Sequence, residues 1–425
     1  MILSGLKNQI RENHNFIIFS FVKILSLLLM AAQPFLMAKL LRPSDFGLYS
    51  LILMPFYFFG ALLISSSQNA FIVYSSDEQK EGKGYNRSFT AELIMLSGGF
   101  FVFFAFLMGR NFYSQIIPAS PLSSLTIILA YLGLMAQSLF SNVLLANQQR
   151  KEEGYYQLCN WTIGIIYIII AHLTNFLTPS TALLTFFFGP IITFPLFFKI
   201  FCWKKILPLK FEKKWLKNIW AFSKWAALGG VAAFLSSWGD ILILKYFVSP
   251  EKIGEYNLGY QVFKGLTMFA GTISAYFLPS VARNIGVPKE LSKYLYQKRP
   301  QIIAIWIIGS IVLFFSIPLI FHLLYGNKYL SSIIIAQMLI IPATFVIFKS
   351  FYQIIFDSLK KYIFSQTSQI VFTGLNLILD IILIHYFGII GPAIATSIAT
   401  SLSIIAYFIY WRRLKNKLLN PINNG

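Results

Sequence analysis

The chain has 425 residues, of which 57% are hydrophobic and only 12% are charged. A soluble protein of this length needs a largely polar surface, so this composition excludes the soluble globular classes. The net charge of +20 could suggest a nucleic-acid partner. The positions of the basic residues indicate membrane topology instead, and no nucleic-acid partner is predicted.

Continuous apolar runs alternate with charged or turn-rich breaks along the whole chain. A membrane-spanning helix needs about 20 apolar residues, and continuous rather than alternating runs favour helices over a membrane barrel. We predict an all-α polytopic membrane protein with twelve transmembrane helices. The predicted spans are 16–41, 46–74, 89–109, 122–147, 155–177, 181–201, 220–248, 256–280, 301–322, 330–357, 362–387 and 391–411.

The basic residues outside these spans lie mostly on one side of the predicted membrane. The odd-numbered loops contain only Arg42, Arg110, Lys252 and Lys328 of the 35 Lys and Arg residues. The positive-inside rule therefore predicts that both termini are cytoplasmic.

A short pattern of Pro, Gly, Tyr and Leu occurs twice, 207 positions apart, in PSDFGLYSLIL and PEKIGEYNLGY. Each copy precedes the second span of a six-span half, and an even number of spans makes the halves a parallel repeat. We predict two six-helix lobes, 1–198 and 220–425. In the second copy, Gly254 and Tyr256 are predicted to mark a tight turn and an aromatic anchor at the membrane interface.

The segment between the lobes, 199–219, carries lysines interleaved with aromatic residues in KIFCWKKILPLKFEKKWLKNI. This pattern predicts a basic amphipathic linker on the cytoplasmic membrane surface. A docking segment for a calmodulin-like protein is the alternative.

Charged side chains deep inside a span are costly and therefore mark candidate functional residues. Asp240 and Lys264 lie at equal distances from Lys252, which we take as the centre of the turn between their helices. They are predicted to form an ion pair. The pair is either structural or a switch, in which Lys264 releases Asp240 to bind an anionic substrate while Asp240 takes up a proton or cation. The residues 207 positions earlier, Gln33 and Tyr57, are polar but uncharged.

Three further deep charges are Lys23, Lys349 and Asp380. Neither lysine has an acidic residue of matching depth nearby in sequence, so both are candidates for binding phosphate in a cavity. Snorkelling to the membrane surface is the alternative. Asp380 is a candidate ion site or a structural pairing residue. The scattered histidines and the two cysteines, Cys159 and Cys202, predict no metal site.

No P-loop pattern and no catalytic domain are recognisable, which disfavours an ATP-driven pump and an enzyme. Four segments resemble the bacterial polysaccharide transporters that flip lipid-linked oligosaccharides, the O-antigen flippases in particular. They are LLRPSDFGLYSLIL, DILILKYFVSPEKIGEYNLGYQVF, LLYGNKYLSSIIIAQMLIIPA and NLILDIILIHYFGIIGPAIATSIAT.

This resemblance implies two six-helix lobes around a central cavity, as in multidrug and toxin extrusion transporters. Asp240 falls where this family commonly has an aspartate. Gly388, Gly391, Pro392 and Ala393 match its glycine-rich final turn, although Pro392 replaces the more usual alanine.

The implied function is translocation of undecaprenyl diphosphate-linked oligosaccharide from the cytoplasmic to the periplasmic leaflet of a bacterial inner membrane, by alternating access and without catalysis. Lys23, Lys264 and Lys349 would contact the diphosphate, and Asp240 and Asp380 would be an ion-coupling or structural pair. No cofactor is predicted beyond a coupling proton or sodium ion. Membrane lipids, a polysaccharide polymerase and chain-length machinery are the implied partners.

Two other functions remain open. A multidrug-type, cation-coupled antiporter of small molecules would have the same two-lobe arrangement, but its largely cationic substrates fit poorly with three deep lysines against two aspartates. A polymerase that joins sugar repeats would be expected to have a long periplasmic loop, and the odd-numbered loops here are short.

Overall fold

The structure is a computed structural model that describes residues 2–82, 84–109, 121–201, 203–284, 288–359 and 361–419. Of the residues named above, Arg110 and Cys202 lie outside the described residues.

All regular secondary structure in the described part of the chain is helical. The α-helices are α1 (Ile2–Leu40), α2 (Pro43–Phe59), α3 (Ser65–Lys80), α4 (Asn86–Met108), α5 (Pro121–Ala146), α6 (Arg150–Leu173), α7 (Thr185–Phe197), α8 (Trp203–Ile206), α9 (Lys213–Leu244), α10 (Pro250–Asn284), α11 (Pro288–Lys293), α12 (Arg299–Tyr325), α13 (Leu330–Ser358), α14 (Tyr362–Phe387) and α15 (Gly391–Leu419). A π-helical turn, Gly60–Ile64, joins α2 to α3 without a break.

Within these ranges, nine helical stretches are long and apolar enough to cross a membrane. One of the nine, Ile363–Lys415, covers most of both α14 and α15, while the apolar helix Thr181–Phe197 is shorter. Helix α10 is long but is not among the nine. The predicted all-α membrane fold is confirmed, and the count of twelve crossings stays a prediction.

Helix boundaries follow from local sequence. Helices α2 and α10 both begin at a proline and carry an acidic residue in the first turn, Asp45 and Glu251. Proline suits the first helical position and a carboxylate is favoured at the positive end of a helix. Helix α14 ends at Phe387 and is followed by Gly388, whose φ of 55° lies in the left-handed region that favours glycine.

The chain forms two compact units. Unit 1 comprises Met1–Leu41 and Leu48–Phe234, and unit 2 comprises Arg42–Gly47 and Leu235–Gly425. In unit 1, α6 packs against α1 and α7, and α5 packs against α7. In unit 2, α10 packs along α13, and α15 packs against both α13 and α14. The predicted division at 199–219 stays a prediction.

Inside unit 2 the two copies of the repeated pattern contact each other. A Cβ atom on Gly47 would overlap the carbonyl oxygen of Pro250, and a Cβ atom on Gly254 would overlap the carbonyl oxygen of Pro43. The contact is therefore reciprocal, because each glycine packs against the proline that begins the other copy. This close approach of two backbones explains why the pattern contains glycine at the same place twice.

The predicted roles of Gly254 and Tyr256 are wrong. Both residues lie within α10 rather than in a turn. Tyr256 is fully buried, not an interfacial anchor. It is buried because its hydroxyl has a partner inside unit 2, the carboxylate of Asp240.

Candidate functional site

Asp240 on α9 is the centre of a polar cluster buried in unit 2, where only 2% of the residue is exposed. The hydroxyl of Tyr256 donates a hydrogen bond to Oδ2, the amide of Asn376 donates to Oδ1 at 2.9 Å, and the hydroxyl of Thr396 donates to Oδ2 at 3.2 Å. These donors come from α10, α14 and α15. A carboxylate that accepts several hydrogen bonds is stabilised inside an apolar bundle.

Asp380 completes this group, which we call the carboxyl cluster: Asp240, Tyr256, Asn376, Asp380 and Thr396. Asp380 is fully buried one turn after Asn376, whose amide lies 3.4 Å from Asp380 Oδ2. The amide of Asn376 therefore lies between the two acids and donates to both carboxyl groups. The structure places Asp240 and Asp380 in one buried cluster, and their predicted role in ion coupling stays a prediction.

The predicted ion pair between Asp240 and Lys264 is not formed, since no carboxylate oxygen of the described residues lies within 4.0 Å of the Lys264 ammonium. The error lies in the assumed turn. Helix α9 ends at Leu244 and α10 begins at Pro250, so the hairpin is centred before Lys252. This register places Tyr256 opposite Asp240.

Lys264 instead lies against aromatic rings. Its Nζ atom is 3.8 Å from the ring centroid of Trp238 and 5.0 Å from that of Tyr260. The hydroxyl of Tyr260 donates to the backbone oxygen of Ser236 at 3.2 Å, which fixes the ring. Cation–π contacts hold an ammonium in place without neutralising its charge.

Lys264 and Lys349 line one cavity of about 260 Å³ in unit 2, which we call the cationic cavity. Lys349 Nζ donates to Gln369 Oε1 at 3.2 Å, and Gln369 in turn donates to Ser236 Oγ at 3.0 Å. These partners are neutral, and the described residues place no carboxylate within 4.0 Å of Lys349. The cavity therefore carries two lysines that no carboxylate in the described part of the chain pairs with.

The cationic cavity adjoins the carboxyl cluster, because Asn376 and Thr396 line the cavity and also donate to Asp240. The remaining lining is hydroxyl- and amide-rich, with Gln353, Thr373 and Ser403 among its residues. Such a lining can bind an anion at the lysines and contact hydroxyl groups elsewhere.

Lys23 belongs to unit 1 and has an acidic partner. Its Nζ atom donates to Glu153 Oε1 at 2.9 Å and to Oε2 at 3.0 Å, and Ser141 Oγ donates to Glu153 Oε1 at 3.0 Å. The sequence offered no acidic residue of matching depth near Lys23, and Glu153 is indeed 130 residues away along the chain, but the fold brings it close in space. The predicted contact of Lys23 with substrate stays a prediction.

Unit 1 contains a second cavity of about 300 Å³, which we call the neutral cavity. Tyr57, Ser65, Gln68, Gln137, Ser138 and Gln157 line it among others, and no charged side chain of the described residues does so. Gln137 Nε2 donates to Gln157 Oε1 at 2.8 Å, and Gln157 Nε2 donates to Ser141 Oγ at 3.4 Å. None of the three glutamines was predicted as a site residue, although amide side chains within apolar spans are themselves a signal of a polar site.

The chain belongs to a family described as polysaccharide biosynthesis protein, which it matches over residues 36–334. One relative is a probable low-salt glycan biosynthesis flippase, Agl15, from Haloferax volcanii. It is 26% identical over 202 residues, which are 46% of this chain and 42% of the relative. The chain spans about half the length, or less, of the curated relatives it matches.

Solved structures show the same fold. The lipid II flippase MurJ, in an inward closed conformation, matches 93% of this chain and 87% of its own with a TM-score of 0.73 and 17% sequence identity. An inward-facing multidrug resistance transporter of the MATE family matches 96% of this chain and 99% of its own, with a TM-score of 0.74 and 15% identity. The protein is thus a membrane protein of a polysaccharide biosynthesis family with a transporter fold.

Proposed function

We propose that the protein is a flippase for lipid-linked oligosaccharide. Its cargo is a repeat unit of a surface polysaccharide, such as O-antigen, on undecaprenyl diphosphate. The cargo moves from the cytoplasmic to the periplasmic leaflet of a bacterial inner membrane, and both termini of the protein are cytoplasmic. Membership of a polysaccharide biosynthesis family and the flippase-like fold support this proposal.

The observation that carries the proposal is the cationic cavity. A diphosphate group cannot cross the apolar bilayer without compensation of its charge. Lys264 and Lys349 supply two ammonium groups that no carboxylate of the described residues neutralises. Lys23 is the weakest of the three proposed diphosphate contacts, because Glu153 already binds its ammonium group.

The carboxyl cluster is the proposed site of ion coupling. Asp240 and Asp380 both accept from Asn376, so uptake or release of a proton by either acid would change the charge beside the cationic cavity. The side-chain oxygens of Asp240, Asp380, Asn376 and Thr396 are also of the type that hard cations such as sodium prefer. No other cofactor and no catalytic step is part of the proposal.

An antiporter for small molecules, coupled to a cation, is the alternative function. The TM-score of 0.74 to a MATE transporter is as high as the score of 0.73 to the flippase, so fold does not separate the two. The lysines separate them, because a cationic drug would be repelled by the cationic cavity. A polysaccharide polymerase and chain-length machinery are the proposed consumers of the translocated cargo.

The test is deletion of the gene in its own host, followed by measurement of surface polysaccharide and of lipid-linked intermediates. We expect polysaccharide to be lost and intermediates to accumulate at the cytoplasmic face. A double Lys264→Gln and Lys349→Gln variant at normal membrane levels should fail to restore polysaccharide. Lys224→Gln on the exposed side of α9 is the control and should restore it. Unchanged polysaccharide in the deletion strain would reject the flippase in favour of the antiporter.

A further inference from the structure

The neutral cavity of unit 1 has a lining that fits uncharged, hydroxyl-rich groups. Gln68, Gln137 and Gln157 each offer an amide that can donate and accept, and Ser138 adds a hydroxyl. Sugar hydroxyls likewise both donate and accept. Because no charged side chain of the described residues lines this cavity, an anion would find no counter-charge there. The volume of about 300 Å³ is at the lower end of the range of roughly 300–1,000 Å³ for small-molecule pockets.

Two of these glutamines keep unused hydrogen-bonding capacity. Gln68 forms no hydrogen bond with any residue that the structure describes, although it lies partly buried at the cavity wall. Gln137 uses its amide nitrogen for Gln157, and its own carbonyl oxygen accepts no hydrogen bond from the described residues. Groups of this kind are available to a ligand.

The other polar groups are held in place before any ligand arrives. Gln157 is fixed between Gln137 and Ser141, and Ser141 is fixed by Glu153. The pair of Glu153 with Lys23 ends this network in unit 1. A preorganised set of polar groups loses less conformational entropy on binding.

Tyr57 gives the same wall an aromatic surface. Its ring is itself held edge-on by Phe56, at a centroid distance of 5.2 Å, and by Phe186, at 6.2 Å. A fixed aromatic ring beside amides and hydroxyls offers an apolar surface to the carbon face of a sugar ring and polar groups to its edge.

From this lining we propose that the neutral cavity is a sugar-binding subsite, which takes an uncharged pyranose ring of the lipid-linked oligosaccharide. The inference rests on the proposed function and deepens it. It concerns only the neutral cavity, which lies within unit 1.

The test uses the full chain in lipid nanodiscs and two probes, undecaprenyl diphosphate and the host's own undecaprenyl diphosphate-linked oligosaccharide. We expect the wild-type protein to bind the glycosylated probe more tightly. Gln68→Ala and Gln137→Leu should each weaken binding of the glycosylated probe by about tenfold, the effect of one good hydrogen bond. Neither should change binding of undecaprenyl diphosphate. The double Lys264→Gln and Lys349→Gln variant should weaken binding of both probes.

Gln79→Ala is the matched control, because Gln79 lies on α3 with Gln68 but donates to the backbone oxygen of Ala146. It should leave the difference between the probes unchanged. Gln68→Ala removes no hydrogen bond of the described fold, so its result does not depend on folding. If the glutamine variants bind both probes as tightly as the wild-type protein does, or bind both probes equally more weakly, the sugar subsite is rejected. The proposed flippase function would be unaffected by either result. Equal affinity of the wild-type protein for the two probes would also overturn the sugar subsite. Failure of the wild-type protein to bind either probe would reject the proposed function itself.

Discussion

The cationic cavity and the neutral cavity occupy matching places in the two halves of the sequence repeat. Lys264 lines the first and Tyr57 lines the second, 207 positions apart, like the two copies of the repeated pattern. Three lining helices of unit 2, α10, α13 and α14, correspond to lining helices of unit 1, α2, α5 and α6, whereas α9 and α15 line only the cationic cavity. The two halves thus share a cavity between corresponding helices, and among the described residues only the cavity of unit 2 is lined by charged side chains.

The buried polar residues at the corresponding positions Gln33 and Asp240 differ in the same way. Gln33 stands 207 positions before Asp240, and its amide donates to Thr185 Oγ1 at 3.3 Å. Gly164 leaves the space for this contact, since a Cβ atom there would lie 2.6 Å from Thr185 Oγ1 and 2.7 Å from Gln33 Nε2. One neutral hydrogen bond thus stands where unit 2 has the carboxyl cluster. The proposed ion coupling is therefore assigned to unit 2.

The largest effect is expected from Asp240→Ala compared with Gln33→Ala. Asp240→Ala leaves the hydroxyls of Tyr256 and Thr396 without their acceptor and the amide of Asn376 with only its longer contact to Asp380. Each buried polar group left unsatisfied costs about 1–3 kcal/mol, so we expect a loss of about 3 kcal/mol or more in the free energy of unfolding. Gln33→Ala leaves only the hydroxyl of Thr185 without its partner and should lower the free energy of unfolding by about 1 kcal/mol.

The measurement for this pair is thermal unfolding of both variants in one detergent. Asp240→Asn is the companion variant, since an amide retains hydrogen bonding but cannot ionise. It should keep most of the stability and lose transport. Equal destabilisation by the two alanine variants would show that the charged cluster is no more important to the fold than its neutral counterpart.

An intermediate effect is expected at the contact between the two copies of the repeat. Gly47→Ala and Gly254→Ala each place a methyl group on a backbone carbonyl of the other copy, which should cost about 1–3 kcal/mol of stability. Gly271→Ala on α10 is the control. Apart from its own helix backbone, no atom of the described residues lies within 4 Å of its added Cβ, so the better helix propensity of alanine should stabilise the protein slightly.

The double variant Gly47→Ala with Gly254→Ala sharpens this prediction. Because both methyl groups push apart the same pair of helix starts, the combined loss of stability should be smaller than the sum of the single losses. Chemical or thermal unfolding of the four proteins measures the difference. Additive losses would indicate two independent contacts and weaken the argument from the repeat.

The sequence was sufficient to predict the helical membrane fold because hydrophobic runs of span length have few other solutions. It also identified Asp240, Lys264, Lys349 and Asp380 as deep charges, and the structure places the two lysines in one cavity and the two acids in one cluster. It could not give their partners. The hairpin register depended on the centre of the five-residue turn between α9 and α10. The assumed centre, Lys252, lies about one helical turn too late in the sequence, so Lys264 was predicted opposite Asp240 where the structure has Tyr256.

Contacts between distant spans also could not be predicted from the sequence. The pair of Lys23 with Glu153 joins α1 to the first turn of α6, and no local pattern specifies that those helices are neighbours. The neutral cavity was missed for a different reason. A glutamine or serine within a span costs far less free energy than a charged residue and is often only structural. Each is therefore a weak signal of a site until the fold brings several together.

The smallest effect is expected from Lys23→Gln. The side chain of Lys23 is 36% exposed and that of Glu153 only 4%, so solvent screens one partner, and the pair should contribute about 1 kcal/mol or less. A double-mutant cycle with Glu153→Gln, read by thermal unfolding, measures this coupling. Because Glu153 neutralises Lys23, we expect Lys23→Gln to reduce surface polysaccharide less than Lys264→Gln does. Lys23→Gln could instead reduce surface polysaccharide as much as Lys264→Gln does, while Glu153→Gln does not. That result would show that Lys23 of unit 1 also binds the cargo, and the two halves would then not differ in charge.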